Sequence, residues 1–184
     1  MTQRKNIAII GGGPSGLMAA QIIATAGHHV TIYDAMPTFG RKFMMAGRGG
    51  LNLTHSEPLE QFTTRYFEAS HWLAPHIKAY GPKALQQWCE ELGQETFIGS
   101  SGRVFPVSMK ASPLLRAWLK KLETLGVQYA FRHYWQGFDG DNLMFSNADK
   151  KTVTIKADAT LLALGGASWP HLGSDGSWVN ILSV

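Results

Sequence analysis

The amino-acid sequence predicts an α/β fold with a central parallel sheet, and the stretch 5–34 carries most of that prediction. Residues 7–10 form a short apolar, β-branched run, which is typical of a parallel strand buried on both faces. The glycine pattern Gly-x-Gly-x-x-Gly follows at 11–16 and leads into a helical stretch. A second apolar run at 30–33 then predicts the neighbouring strand.

This arrangement is typical of a Rossmann turn, which binds a dinucleotide. Gly11 permits a tight turn, Gly13 lets the backbone approach a pyrophosphate, and Gly16 lets the helix pack closely on the strand. The helix points its free N–H groups at the same pyrophosphate. Asp34 follows Gly16 by 18 residues, close to the roughly 20 expected of an acid that binds a ribose hydroxyl. The predicted pyrophosphate-binding turn consists of Gly11, Gly13, Pro14, Ser15 and Gly16.

Composition narrows the class of protein. With 184 residues, 45% hydrophobic and 16% charged, the chain predicts one globular domain, or one and part of another. A net charge of +4 suits an anionic ligand, but Lys and Arg are dispersed, so we expect no nucleic-acid partner. Cys89 is the single cysteine, which excludes an internal disulfide and favours the reducing cytoplasm.

A secretion signal or membrane span is the alternative interpretation of the amino-terminal stretch. Residues 7–30 carry no Asp, Glu, Lys or Arg, and Arg4 and Lys5 precede them. The block 11–14 nevertheless places three glycines and a proline inside the apolar region, where they should break a helix. We therefore expect no membrane association.

The segment 41–55 matches neither a helical nor a strand period, so it predicts a loop. It combines cationic side chains with glycines and small polar groups, a chemistry that suits a loop laid along a phosphate-bearing ligand. A solvated glycine loop is the alternative. The candidate ligand-binding residues of this segment are Arg41, Lys42, Gly47, Arg48, Gly49, Gly50, Asn52 and Thr54.

The block GRKFMMAGRGGLNLTHSE at 40–57, following GGGPSG at this distance, resembles the bacterial YhiN/BaiN-like NAD(P)/FAD-dependent oxidoreductases, also called aminoacetone-oxidase-like flavoproteins. Further matching motifs lie at 102–106, 108–111, 162–166 and 173–176, so the resemblance runs along essentially the whole chain. It implies a Rossmann-like FAD-binding domain of glutathione-reductase type, with a parallel sheet, a small antiparallel meander and a helical insertion.

The resemblance also implies a cofactor and its contacts. FAD would place its pyrophosphate on the glycine turn and its adenosine ribose on Asp34, although proteins of this type commonly carry Glu at that position. Hydride transfer would run between FAD and a small organic substrate, with NAD(P)H as the electron partner. No catalytic acid or base and no metal ligand is assigned. The residues carried along the phosphates toward the flavin are Arg41, Lys42, Gly47, Asn52 and Thr54.

The predicted helical insertion spans 58–126. Its first helical stretch has an apolar face at Trp72, Leu73, His76, Ile77 and Tyr80, and a second stretch buries Trp88 and Cys89. Cys89 is therefore interpreted as a small hydrophobic residue. Strands are predicted at 96–98 and 104–105, and Ser112 is predicted to cap a final helix with Pro113 at its first position.

The remainder of the chain completes the predicted sheets. Residues 127–131 predict a third parallel strand, with His133 and Tyr134 beyond it as candidates for adenine contact. Three strands near 135–138, 143–146 and 153–155 predict an antiparallel meander. A buried strand at 160–164 ends in Gly165 and Gly166, a pair that would allow close backbone approach to the dinucleotide.

A helix is predicted at 177–182, and the chain ends soon after it. We expect residues 1–184 to be one FAD-binding domain, the amino-terminal part of a longer flavoprotein whose substrate domain is absent. A remnant without catalytic activity and an NAD-dependent Rossmann dehydrogenase are the two alternatives. The sequence does not indicate the substrate or the oligomeric state.

Overall fold

The structure, a computed structural model, describes residues 3–183. The chain divides into two compact units. The first unit combines the residues up to Phe43 with those from Leu119 onward, and the second comprises Met44–Trp118.

Residues 3–183 fold into strands, α-helices and short 3₁₀ turns. The strands, in chain order, are β1 (Asn6–Ile10), β2 (His29–Asp34), β3 (Thr54–His55), β4 (Thr96–Ile98), β5 (Arg103–Pro106), β6 (Gln128–Phe131), β7 (Tyr134–Asp139), β8 (Asn142–Ser146), β9 (Thr152–Lys156) and β10 (Ala159–Leu162). The α-helices are α1 (Pro14–Thr25), α2 (Arg41–Ala46), α3 (Leu59–Thr64), α4 (Ser70–Ala79), α5 (Pro82–Glu91), α6 (Ala111–Thr124) and α7 (Trp178–Leu182). The 3₁₀ turns cover Phe67–Ala69 and Pro170–Leu172.

The first unit contains a four-stranded parallel sheet with the strand order β10-β1-β2-β6. Ile9 lies opposite Leu161 on one side and Ile32 on the other. The chain adds β2 and β6 on one side of β1 and then crosses to place β10 on the other. This confirms the predicted parallel strands and creates a topological switch point between β1 and β10.

Both faces of the parallel sheet are covered, which explains why β1 is apolar at successive positions. Ala8 and Ile10 belong to a buried cluster with side chains of β7 and β8. The alternate residue, Ile9, is fully buried and lies close to Gly16 at the start of α1. The parallel sheet is therefore held between α1 and a second sheet.

That second sheet is the antiparallel meander β7-β8-β9, as the sequence predicts. Phe145 of β8 stacks on Tyr33 of β2 with 4.7 Å between ring centroids. Trp135 and Leu143 extend the same buried cluster. Aromatic burial of this size contributes much of the energy that holds one sheet on the other.

The second unit is built around a three-stranded antiparallel sheet in the order β3-β5-β4, together with α3, α4 and α5. Trp88 and Trp118 pack edge to face, with 4.7 Å between their ring centroids. Cys89 beside them is fully buried, and burial raises the pKa of its thiol to about 12. This supports the interpretation of Cys89 as a buried hydrophobic residue, because a thiol with such a pKa is rarely a nucleophile at neutral pH.

The prediction of a structureless loop over 41–55 is wrong in part. Residues 41–46 form the helix α2, and Thr54–His55 form the strand β3. The N–H groups of Leu51 and Leu53 donate to the carbonyls of Met109 and Val104 at 3.0 and 2.9 Å. The segment is thus paired with a distant part of the chain. A helix of six residues and a strand of two are too short to show a period in the sequence.

Two smaller predictions are also wrong. The last helix of the insertion begins at Ala111, so Ser112 lies inside it rather than capping it. In α4 only Ile77 is buried, whereas Trp72 is 56% exposed and Tyr80, which follows the helix, is 46% exposed. The apolar face of this helix is narrower than the sequence pattern, because aromatic side chains at the flanks of a face can stay largely in solvent.

Within residues 3–183, no helix combines the length and the apolar character that a membrane crossing requires. The apolar stretch near the amino terminus instead divides into β1, the glycine turn and α1.

Gly16→Ala should lower the free energy of unfolding by about 1–3 kcal/mol. A Cβ at this position would overlap the carbonyl oxygen of Gly11, a backbone atom that cannot rotate away. The higher helix propensity of alanine, about 1 kcal/mol, is too small to reverse the effect. Chemical denaturation measures the change, with Gly13→Ala as the matched control, because a Cβ there meets no atom within 4 Å. Equal stability of the two variants would contradict this packing.

Candidate functional site

A cavity of about 360 Å³ lies in the first unit. Its walls come from the residues that follow β1, β2, β6 and β10, and from α7. In open parallel sheets, ligands bind beyond the carboxyl ends of the strands at the switch point, where this cavity is found. The predicted site residues that line it are Gly11, Gly13, Pro14, Asp34, Arg41, Lys42 and Gly165.

The glycine turn is fixed by close backbone packing. Gly11 has φ +109°, and a Cβ there would overlap the carbonyl of Ala163, which follows β10. Gly12 is buried, and a Cβ there would overlap the ring of Phe39. The pattern assigns no role to the glycine at 12, so sequence reasoning missed this contact. Tight packing therefore requires glycine at both positions.

Gly13 differs from its neighbours because, within residues 3–183, no contact or backbone angle requires a glycine there. Its backbone is extended, with φ −78° and ψ 178°, a conformation that any residue adopts. A Cβ built on it meets no atom within 4 Å. Gly13 is the N-cap of α1 and supplies no side-chain cap. The open space in front of it lies at the positive end of the helix dipole, on the wall of the cavity.

Asp34 ends β2 and ties the glycine turn to the next loop. Its Oδ2 accepts the N–H of Gly12 at 2.6 Å, and its Oδ1 accepts the N–H of Met36 at 2.8 Å. Burial raises the pKa of Asp34, while these two hydrogen bonds and the charge of Arg41 oppose the increase. Each carboxylate oxygen retains a further lone pair, so these bonds leave acceptor capacity for a ribose hydroxyl.

Two cations enter the cavity wall from the first turn of α2. The Arg41 Nε is buried and has no hydrogen-bond partner among the described residues. The Lys42 Nζ donates to the Ser174 Oγ at 2.7 Å, and that hydroxyl donates to the Gly166 carbonyl at 2.6 Å. Sequence reasoning gives Ser174 no role, because only a fold that brings the loop after β10 to α2 makes these contacts visible.

Three further predicted residues of the first unit, Ser15, Gly16 and Gly166, do not line the cavity. Ser15 is exposed in the first turn of α1, and Gly16 is buried against the turn. Gly166 is open: a Cβ there meets no atom within 4 Å. His133 and Tyr134 do line the cavity. Their contact with an adenine stays a prediction.

Six predicted residues belong to the second unit, and their contacts are described within that unit. Gly47 packs closely on Ala111, with 2.7 Å between their Cβ positions if one is built on the glycine. The Asn52 side-chain amide donates to the carbonyls of Thr54 and Val104 at 2.8 and 3.2 Å. These contacts give Gly47 and Asn52 roles in folding. Cofactor binding stays a prediction for Gly47, Arg48, Gly49, Gly50, Asn52 and Thr54.

The profile of the HI0933-like protein Rossmann domain matches residues 5–184. The chain belongs to the HI0933-like family. This confirms the resemblance to the YhiN/BaiN-like flavoproteins and the Rossmann-like fold of FAD-binding type.

This HI0933-like chain is also similar to characterised proteins and solved structures, with sequence identities of 25% or less in the three cases that follow. The ribosomal RNA dihydrouridine synthase of Escherichia coli is 25% identical over 179 residues, which cover 94% of this chain and 42% of the synthase. A flavocytochrome c3 fumarate reductase in an open conformation has a TM-score of 0.64 at 18% identity. The alignment covers 90% of this chain and 34% of the reductase chain.

A 3-ketosteroid-delta4-(5alpha)-dehydrogenase from Rhodococcus jostii, in complex with 4-androstene-3,17-dione, has a TM-score of 0.60 at 15% identity. The alignment covers 90% of this chain and 46% of the dehydrogenase chain. The HI0933-like chain thus spans less than half the length of each of these three proteins. The solved structures show the fold alone.

Asp34→Asn should change how stability depends on pH. Since the folded state raises the pKa of this carboxyl above 3.8, it holds the proton more tightly than the unfolded state does. The wild-type free energy of unfolding, minus that of D34N, should therefore fall as the pH rises from 3.8 through the raised pKa.

Chemical denaturation from about pH 3 to about pH 8 measures this difference. The Asp34→Asn comparison cancels the titration of the other carboxyls. A difference that instead increased with pH would mean that the bonds from Gly12 and Met36 outweigh burial.

Proposed function

We propose that this HI0933-like chain binds FAD and serves a flavin-dependent oxidoreductase. The observation that carries the proposal is the open glycine at position 13. Packing or backbone strain explains Gly11, Gly12 and Gly16, whereas Gly13 faces open space at the start of α1. A pyrophosphate that lies against the backbone N–H groups gives a physical reason for a glycine at this position.

The rest of the cavity supports an anionic dinucleotide. Arg41 and Lys42 bring two positive charges to the wall, where they would neutralise phosphate oxygens. Asp34 lies at the end of β2, where an acid accepts hydrogen bonds from ribose hydroxyls. A volume of about 360 Å³ is enough for part of such a ligand. The residues present therefore fit FAD.

In the proposed holoprotein, this chain would bind and orient FAD. The turn at 11–16 would hold the pyrophosphate, Asp34 the ribose, and the cations of α2 the phosphate charge. Gly165 and Gly166 would let the end of β10 approach the cofactor closely. FAD, when bound, supplies hydride acceptance and donation.

The activity of the whole protein extends this proposal. We propose that NAD(P)H reduces the flavin and that a small organic substrate exchanges a hydride with it. The family membership supports a flavoprotein oxidoreductase. The reaction, the electron donor and a cytoplasmic location stay predictions.

The purified 184-residue chain should show a flavin absorption spectrum and release FAD on denaturation. Gly13→Ala should raise the Kd for FAD at least about tenfold, since the added methyl would occupy the space that the pyrophosphate needs. Its stability should change by less than about 1 kcal/mol, because alanine adopts this backbone without strain. Thr25→Ala, at the exposed far end of α1, is the control and should bind FAD as the wild type does.

Three results would count against this proposal. A colourless, folded wild type that binds no added FAD would contradict it directly. Binding of NAD(H) in place of FAD would favour a nicotinamide-dependent dehydrogenase. Normal FAD affinity in Gly13→Ala would show that the pyrophosphate does not approach this residue.

A second candidate substrate is a uridine in RNA. The observation that favours it is the alignment of 94% of this chain with the E. coli ribosomal RNA dihydrouridine synthase. The net charge of +4 is compatible with a polyanion. This candidate differs from the prediction of no nucleic-acid partner.

Incubation of the flavin-loaded protein with ribosomal RNA and NADPH tests this candidate. Dihydrouridine, detected by mass spectrometry of digested RNA, would support an RNA substrate. NADPH oxidation with a small organic acceptor but no dihydrouridine would support the first proposal.

A further inference from the structure

We propose that Ser174 is a positioning residue, which fixes the Lys42 ammonium and the Gly166 carbonyl for a phosphate of the bound cofactor. The inference deepens the proposed function and rests on it. Ser174 is only 3% exposed and lies on the wall of the cavity.

The chemistry of the three groups fixes the direction of each hydrogen bond. A hydroxyl has one proton to donate, an ammonium has no acceptor, and a carbonyl has no donor. The Ser174 hydroxyl therefore donates to the Gly166 carbonyl at 2.6 Å and accepts from the Lys42 Nζ at 2.7 Å. Replacement by alanine would leave both partners without this bond.

The backbone holds Ser174 in place. Trp169 and Ser174 form an antiparallel bridge in which each N–H donates to the other carbonyl, at 3.1 and 3.2 Å. Gly173 has φ +86°, and a Cβ there would lie 2.8 Å from the Cγ of Met36. The hydroxyl is thus presented by a closed loop packed on the segment after β2.

Fixing Lys42 matters because its side chain is long and flexible. An ammonium on a four-carbon stem loses rotamer freedom when a ligand orders it, which weakens binding. Ser174 orders the Lys42 side chain before the ligand arrives. Its hydroxyl occupies one of the three N–H groups of the Lys42 ammonium. Another N–H approaches the Ser168 Oγ at a long 3.4 Å. Donor capacity therefore remains for phosphate oxygens.

Fixing Gly166 matters because a carbonyl oxygen repels a phosphate. The bond from Ser174 holds this oxygen, and Gly166 has open space where a side chain would stand. The Ser174 hydroxyl therefore holds the Lys42 ammonium at the site and restrains the Gly166 carbonyl, whose oxygen would repel a phosphate.

The test compares Ser174→Ala, Lys42→Met and the double variant in the 184-residue chain. Isothermal titration gives the Kd for FAD and for ADP, and thermal unfolding is recorded for each variant. Ser168→Ala is the matched control, because its hydroxyl is exposed and farther from the Lys42 Nζ. Pulse acylation of lysines, read by mass spectrometry without ligand, reports on Lys42 directly.

Ser174→Ala should raise the Kd for FAD and ADP by roughly 3- to 10-fold, the effect of ordering one long side chain. It should also speed the acylation of Lys42 relative to the exposed Lys78. In the Lys42→Met background, the Ser174 change should alter the Kd much less, because the two residues act together. Ser168→Ala, which removes only the long contact with Lys42, should raise the Kd less than Ser174→Ala does.

An unchanged Kd in Ser174→Ala, or an equal loss in the Lys42→Met background, would overturn the inference while leaving FAD binding intact. A wild type that binds neither FAD nor ADP would overturn the proposed function and this inference with it. If Ser174→Ala does not fold, Ser174→Cys replaces it, since a thiol of similar size is a weaker hydrogen-bonding group.

Discussion

The hydrogen bond from the Gly12 N–H to the Asp34 carboxylate joins the turn after β1 to the end of β2, and the site depends on this junction. Two further bonds hold the same turn: Gly11 donates to the Tyr33 carbonyl at 2.8 Å, and Gly40 donates to the Gly12 carbonyl at 2.9 Å. The start of α1 is thereby placed against the cavity. Since Asp34 is held by two backbone N–H groups, its position is set before any ligand is present.

The parallel sheet could be predicted because its determinants are local. Residues 7–10 and 30–33 are apolar at successive positions, and the glycine turn between them has a recognisable spacing. The segment 41–55 could not be predicted in this way. The N–H groups of Leu51 and Leu53 donate to the carbonyls of Met109 and Val104, and a pairing across so many residues leaves no periodic trace in either partner.

The same distinction separates the predicted from the unpredicted part of the site. A short motif specifies Gly11, Gly13 and Asp34, and the cavity brings them together. The contact of Phe39 with Gly12 and the bond between Lys42 and Ser174 join residues that are far apart in the sequence. Only the folded chain shows such contacts. The site thus combines a motif that is visible in the sequence with supporting contacts that become visible only in the structure.

The glycines show how folding and ligand requirements can be separated. Most described glycines have a positive φ or a neighbour that excludes a Cβ, so the fold itself requires them. In the described part of the chain, Gly13, Gly49 and Gly166 have neither a positive φ nor any atom within 4 Å of an added Cβ. Gly13 and Gly166 follow β1 and β10, the two strands that flank the switch point. The described residues give no packing reason for these two glycines, and their place at the switch point is what the proposed approach of a dinucleotide would require.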